Sequence, residues 1–208
     1  MYRKIISILA AISLSCLIIF FQVRVVFCTK SIYYNDINTL NIPNEANTTS
    51  YCVKHDYNAI IDYLLSPNSS TLKLDYFTMS QNAKIHFKDV KNILIIDRNL
   101  IITSLIIFLS LLFLCYKNRI YSFLKYSCWM LFSVCFIFIA FFCVNFEKAF
   151  ILMHELLFSN KYWLFDIKAD SVINILPQKY FFHCGICIIF LILFSGILLR
   201  GVYSIINK

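Results

Sequence analysis

The sequence predicts an all-α membrane protein, with four transmembrane helices and a small extracytoplasmic cap built from two outer loops. The first of three observations behind this is composition. Hydrophobic residues make up 60% of the 208-residue chain and charged residues only 14%, while three glycines and three prolines leave few turns, a balance foreign to soluble domains. The second is the presence of four uncharged runs at residues 5–23, 99–116, 126–146 and 180–199. Each approaches the ~20 apolar residues a helix needs to cross the hydrocarbon core, and helices are the default because lipid leaves no open backbone group satisfied. The third is the sorting of charge. All 11 carboxylates fall in 28–98 or 145–180, where they are matched by seven and four bases, so the whole net charge of +8 lies elsewhere. It sits on Arg3, Lys4, Arg24, Lys117, Arg119, Lys125, Arg200 and Lys208. Apart from Arg24 these flank the chain ends and the short middle loop, which the positive-inside rule places in the cytoplasm. The basic balance therefore reports topology, and no nucleic-acid partner is inferred. The chain is read as a single membrane domain over 1–208, with spans at about 5–27, 99–116, 126–146 and 180–199 and outer loops 28–98 and 147–179.

In chain order, residues 1–27 begin like a secretory signal, but the apolar core is too long and no small-x-small site follows. An uncleaved anchor fits better, with Arg24 snorkelling to the headgroups near its outer end. Residues 28–50, rich in Asn and Thr, read as loop. Tyr57, Ile60, Ile61 and Leu64 recur at helical spacing, so 54–66 should form a short amphipathic helix that stops at Pro67-Asn68-Ser69-Ser70. Thr78 or Ser80 can cap the next helix, which runs from Gln81 into the second span without a breaker. The third span continues past Phe146 towards Phe158, Ser159-Asn160 ends it, and Asp170 can cap a turn over 171–176 that Pro177 stops. Of nine cysteines, seven lie in or at the edges of spans, where a thiol acts as a small hydrophobe. Cys28 and Cys52 share the first outer loop and would suit a disulfide in an oxidising compartment.

The histidines carry the chemistry. His55 and His183 read as ordinary polar groups. His86 and His154 stand just above the bilayer at the approach to span two and just after span three. A short cytoplasmic turn joins those spans, so they should be antiparallel neighbours whose outer ends converge. Two facing imidazoles can act as base and acid near neutral pH. Asp89, one turn from His86, and Glu155, beside His154, could orient them as in a triad. Asp166 is the further acid that could join a metal site with His86, His154 and Asp89, but no HxxxH or HExxH spacing supports one, so neither metal nor cofactor is expected. No nucleophile elbow occurs. Two other readings remain open on these residues alone: a non-enzymatic sensor or assembly subunit, and a metal-dependent membrane lipid hydrolase.

His86-Phe87-Lys88-Asp89-Val90-Lys91 resembles the HMxDVK-type motif of the Lit family of bacterial lipoprotein intramolecular transacylases. His154-Glu155-Leu156-Leu157-Phe158-Ser159-Asn160, followed by Trp163, Asp170 and Pro177, is similar to that family's second block, and the four-span plan with a long first outer loop matches too. Phe87, Met153 and Ala83 depart from the pattern while both histidines are kept. The resemblance implies a bacterial cell-membrane enzyme acting, at the extracytoplasmic face, on a diacylated lipoprotein whose N-terminal cysteine carries a thioether-linked diacylglycerol. Its reaction would move the sn-2 acyl chain to the cysteine α-amine and leave a lyso-form N-acyl lipoprotein. On this reading His86 and His154 are catalytic, with Asp89, Glu155, Asn160, Trp163 and Asp166 in support. Membrane lipid is the other partner. The oligomeric state stays open, as does the choice between direct transfer and an acyl-imidazole.

Overall fold

A computed structural model describes residues 1–207; Lys208, assigned to the cytoplasmic charge set, and the side chains of Cys143 and Val144 lie outside the described residues. Four helices are long and apolar enough to span a bilayer: α1 (Tyr2–Cys28), α5 (Gln81–Lys117), α6 (Ser122–Val144) and α8 (Gln178–Ile206). Between them come α2 (Lys30–Thr39), α3 (Ile42–Glu45), α4 (Ser50–Leu65), α7 (Phe146–Leu157) and a 3-10 turn, Ser171–Ile175. The all-α membrane class therefore holds.

The chain forms two compact units. One comprises residues 1–25, 97–144 and 186–208, the other 26–96 and 145–185. The first contains most of the apolar length of the spans. Its helices meet through small and polar side chains, the usual solution where lipid removes any hydrophobic drive for helices to associate. Ala10 and Ala11 are fully buried, and the Ser7 and Ser122 hydroxyls lie 2.8 Å apart. Gln22 Nε2 donates to Ser195 Oγ at 2.6 Å and to the Leu191 carbonyl at 3.0 Å. Gly196 lets α8 approach α6 closely, since a Cβ there would lie 2.6 Å from the Phe132 ring. Arg24 differs from expectation: its Nε lies 3.1 Å from Asp97 Oδ2, a buried carboxylate, so an ion pair holds it inside the protein.

The second unit positions the histidines. α5 has 37 residues, about 55 Å at 1.5 Å per residue, far longer than the hydrocarbon core. Its part up to Ile96 belongs to this unit, and Ser80 caps it by accepting from Ala83 N at 3.2 Å. Thr49 and Asn145 cap α4 and α7 in the same way, accepting from Cys52 N and Lys148 N. The expected helix over 54–66 is present and starts four residues earlier. Residues 28–50 are the clear miss: they form α2 and α3 instead of loop. Asn and Thr are weak helix formers, but Tyr33 and Ile37, four apart, point one face of α2 into the core, where both are fully buried. Tyr33 stacks on Tyr57 with centroids 3.5 Å apart, and the Tyr57 and Tyr180 hydroxyls meet at 2.9 Å. Burial overrides propensity here. Cys28 and Cys52 are free thiols; Thr49 donates its hydroxyl to Cys52 Sγ.

Three carboxylates tie the segments of this unit together. Asp56 on α4, with no exposed surface, accepts from the backbone N–H groups of Asp75, Tyr76 and Phe77 at 2.9–3.1 Å. Asp36 on α2, also buried, accepts from His183 Nδ1 at 2.9 Å. Asp170, expected to cap the turn that follows it, makes no such bond; it accepts from the Ser80 and Asp166 backbone N–H groups instead, linking the second segment to the start of α5.

Candidate active site

His86 lies on α5 and His154 on α7, both only 8% exposed, with ring centroids 5.9 Å apart. The expected convergence is present. An aromatic box closes around the pair. Phe158 stands against both rings, at 4.8 Å from His86 and 5.6 Å from His154. Phe165 presents an edge to His86 at 5.5 Å, while Phe150 and Trp163 lie 4.3 and 5.0 Å from His154. Phe150, His154 and Phe158 recur every four residues, one stripe on α7 and its end. Phe158 is buried against both histidines.

The two imidazoles are held differently. His154 Nδ1 lies 2.8 Å from the Phe150 carbonyl. A carbonyl can only accept, so the neutral ring carries its proton on Nδ1 and leaves the Nε2 lone pair free. His86 Nδ1 is sealed from solvent with no partner. Burial pushes the His86 imidazole down to about 4, the neighbouring His154 adds to this, and Asp89 opposes it. His154 is also lowered by burial, against the pull of the Phe150 carbonyl. Both rings are therefore neutral at physiological pH.

The supporting residues are placed unevenly. Asp89 does not bond to His86; its Oδ2 accepts from Asn160 Nδ2 at 2.9 Å, and Asn160 Oδ1 in turn accepts from Tyr162 N at 3.0 Å. Asp89 thus fixes the chain end of α7 and acts on His86 through charge alone. Glu155 is exposed, because consecutive helix residues project about 100° apart, and a main-chain carbonyl does the orienting it was expected to do. Asp166 is exposed and closes its own turn, accepting from Lys168 N. Trp163 packs on His154. Phe165 and the Phe150 carbonyl were missed: a backbone acceptor leaves no trace in sequence, and an aromatic in an irregular segment has no periodicity to reveal its face. Among the described residues, no group of three or more His, Cys, Asp or Glu side chains is gathered to hold a metal ion.

Four span-length helices, with two buried histidines facing each other in an aromatic box, fit an acyltransferase of the membrane. Residues 8–181 match the family described as lipoprotein intramolecular transacylase Lit, and the chain belongs to that family. It is similar to the crystallised membrane-integral lipoprotein intramolecular transacylase Lit of Bacillus cereus at 32% identity, covering all of this chain and 96% of that one, with a TM-score of 0.95. Two variants of that protein, with a histidine mutated to arginine or to alanine, match at 31% identity with TM-scores of 0.89 and 0.90; all of this chain and 92% and 94% of theirs are covered. No curated protein sequence matches significantly. The protein is a lipoprotein intramolecular transacylase in a multi-pass membrane setting.

Proposed function

We propose that the substrate is a diacylated lipoprotein, that His154 is the general base and that His86 is the donor to the oxyanion. The observation that carries this is the Phe150 carbonyl on His154 Nδ1, which leaves Nε2 as a lone pair turned away from the helix. His86 is the opposite case. Its Nδ1 is buried without a partner, and an orphaned N–H costs more than an orphaned lone pair, so the ring proton belongs on Nε2, where it can donate.

The reaction then follows in balanced steps. The cysteine α-ammonium gives a proton to His154 Nε2, which passes it to water. The free amine attacks the sn-2 ester carbonyl, and the oxygen that becomes negative accepts from His86 Nε2–H. The attacking nitrogen gives its second proton to His154. The C–O bond to glycerol breaks, and the departing sn-2 oxygen takes that proton from His154. An ester and an ammonium become an amide and an alcohol, and the one proton released is the one His154 passes to water. Donor and acceptor belong to one molecule, so the enzyme's contribution is to fold the lipid head until they meet. The aromatic box excludes the water that would hydrolyse the ester. The unmatched Lys and Arg residues at the chain ends and in the 117–125 loop support an extracytoplasmic site on the opposite side.

The test is expression in a bacterium that makes diacylated lipoproteins, with N-terminal lipopeptides read by mass spectrometry. Lyso-form N-acyl peptides are expected; unchanged diacylglyceryl-cysteine peptides in the presence of well-expressed protein would sink the reading.

A further inference from the structure

We propose that α7 and residues 162–167 insert into the lipid surface as one interfacial element, so that the helix holding His154 is seated directly on the bilayer. In the second unit, 11 large apolar or aromatic side chains are exposed, and eight of them fall between residues 151 and 167: Ile151, Leu152, Met153, Leu156, Leu157, Tyr162, Leu164 and Ile167. Leu156 is 77%, Ile167 73% and Leu164 60% exposed, although neighbouring aromatics of the same unit are buried. Their placement is ordered. His154 faces inward, and on a helix of 3.6 residues per turn Leu152 and Leu156 lie almost opposite it. Both faces of α7 are therefore apolar, one packed on protein and the other bare, which a water-exposed helix does not tolerate.

Lipid is the occupant that fits. The apolar surface of span α6, with Phe136, Ile137, Phe138 and Phe141 exposed, leads into α7 after a single residue, Asn145. α7 therefore starts where the span leaves the hydrocarbon. Asn145, in extended backbone conformation, caps it afresh and ends α6. Tyr162 and Trp163 are residue types enriched at that depth. Charge does not drive the contact: three acids (Glu147, Glu155, Asp166) stand against three bases (Lys148, Lys161, Lys168) between 146 and 168. Apolar area carries it, in the manner of interfacial helices, and anionic lipid is not required.

The full-length protein is reconstituted in phosphatidylcholine vesicles containing a phosphatidylcholine with a diazirine high on its acyl chain. After illumination, peptides are mapped by mass spectrometry. Adducts are expected at 151–157 and 162–167 at levels comparable to 136–141 of α6, with Tyr51 and Tyr76 on α4 and its following loop unlabelled, and the pattern should not change when phosphatidylglycerol is added. Leu156→Glu with Ile167→Glu should cause a severalfold loss of adducts at these peptides while the spans label as before. Adducts confined to the spans would overturn the proposal, as would coverage of this run by a second copy of the chain, which also leaves it unlabelled. The labelling reads position and not turnover, so it is independent of the assigned reaction.

Discussion

The imidazole of His154 is held by the carbonyl of Phe150, four residues earlier on the same helix and 2.8 Å from Nδ1. Phe150 lies in the middle of α7, which runs to Leu157, and because its carbonyl can only accept, the bond sets the tautomer. His154→Ala should lower turnover by about 10²–10⁴-fold, the range of a lost general base, while the protein accumulates normally in the membrane. His154→Gln, which can donate to the same carbonyl but has no base, should be equally inactive. Turnover near the unsubstituted level in either variant, measured by lipopeptide mass spectrometry, would remove His154 from the proton transfers.

His86 makes stability depend on pH. Its folded-state value, about 4, lies below the ordinary histidine value of 6.5, so between these the unfolded chain binds more protons than the folded one. Stability then rises with pH across that window and falls as pH drops from 6.5 towards 4. His154, also lowered, works in the same direction. His86→Phe keeps a ring among Phe87, Phe158 and Phe165 and removes one of the two titrations. It should be inactive yet lose less stability on acidification, as read by thermal unfolding at pH 7 and pH 5. An identical acid dependence in the variant would argue that His86 is not buried neutral.

Activity should show a different limb. Burial lowers both histidines, His86 to about 4 and His154 below its ordinary value, so neutral imidazoles are at hand at neutral pH. The group left to titrate is the substrate α-amine, with an ordinary value of about 8. kcat/KM should rise with pH up to that value. Asp89→Asn keeps an acceptor for Asn160 Nδ2 but removes the charge that supports protonation of His86; any acidic limb assigned to His86 should move to lower pH. Asn160→Ala breaks the tie to both Asp89 and Tyr162 N and should lower turnover by about tenfold, on the order of one lost positioning contact, with no shift of that limb.

Much of this molecule is legible in its sequence because the membrane enforces simple rules. Uncharged length marks the spans: three of the four runs lie within their helices, while the third, 126–146, runs past Val144 to where Asn145 ends α6 and caps α7. The histidine pair is legible because a short loop forces antiparallel neighbours. What escapes is whatever depends on tertiary burial. α2 reads as loop because Asn and Thr mask Tyr33 and Ile37. Asp36 and His183 are 147 residues apart and look like surface groups, yet they pair at 2.9 Å. Glu155 adjoins His154 in sequence and points away from it in space. Asp89 has the spacing to reach His86 and bonds to Asn160 instead. Sequence places a residue on an element, and only packing decides which neighbour its polar atoms find.

Asp56 provides the last prediction, because it shapes the approach to the site without touching it. Its carboxylate is fully buried and accepts three backbone N–H bonds, from Asp75, Tyr76 and Phe77. These residues lead into the Ser80 cap of α5, six residues before His86. Bonds to an ionised acceptor contribute about 1.5–3 kcal/mol each and are not additive. Asp56→Ala strands three amides and should destabilise the protein by on the order of 3–5 kcal/mol. Asp56→Asn keeps one oxygen acceptor but brings a donor that competes for the same space, and should fall between. His55 Nδ1 lies 3.1 Å from Asp56 Oδ1, but its ring is well exposed to solvent, so His55→Ala leaves the three amide bonds in place and should cost about 1 kcal/mol or less. Thermal unfolding in detergent ranks the variants, and amide hydrogen exchange at residues 75–77 identifies the cause. Protection lost at those amides in Asp56→Ala and retained in His55→Ala is the expected pattern. Equal destabilisation by both variants would show that the histidine, and not the amide cluster, is the partner that matters.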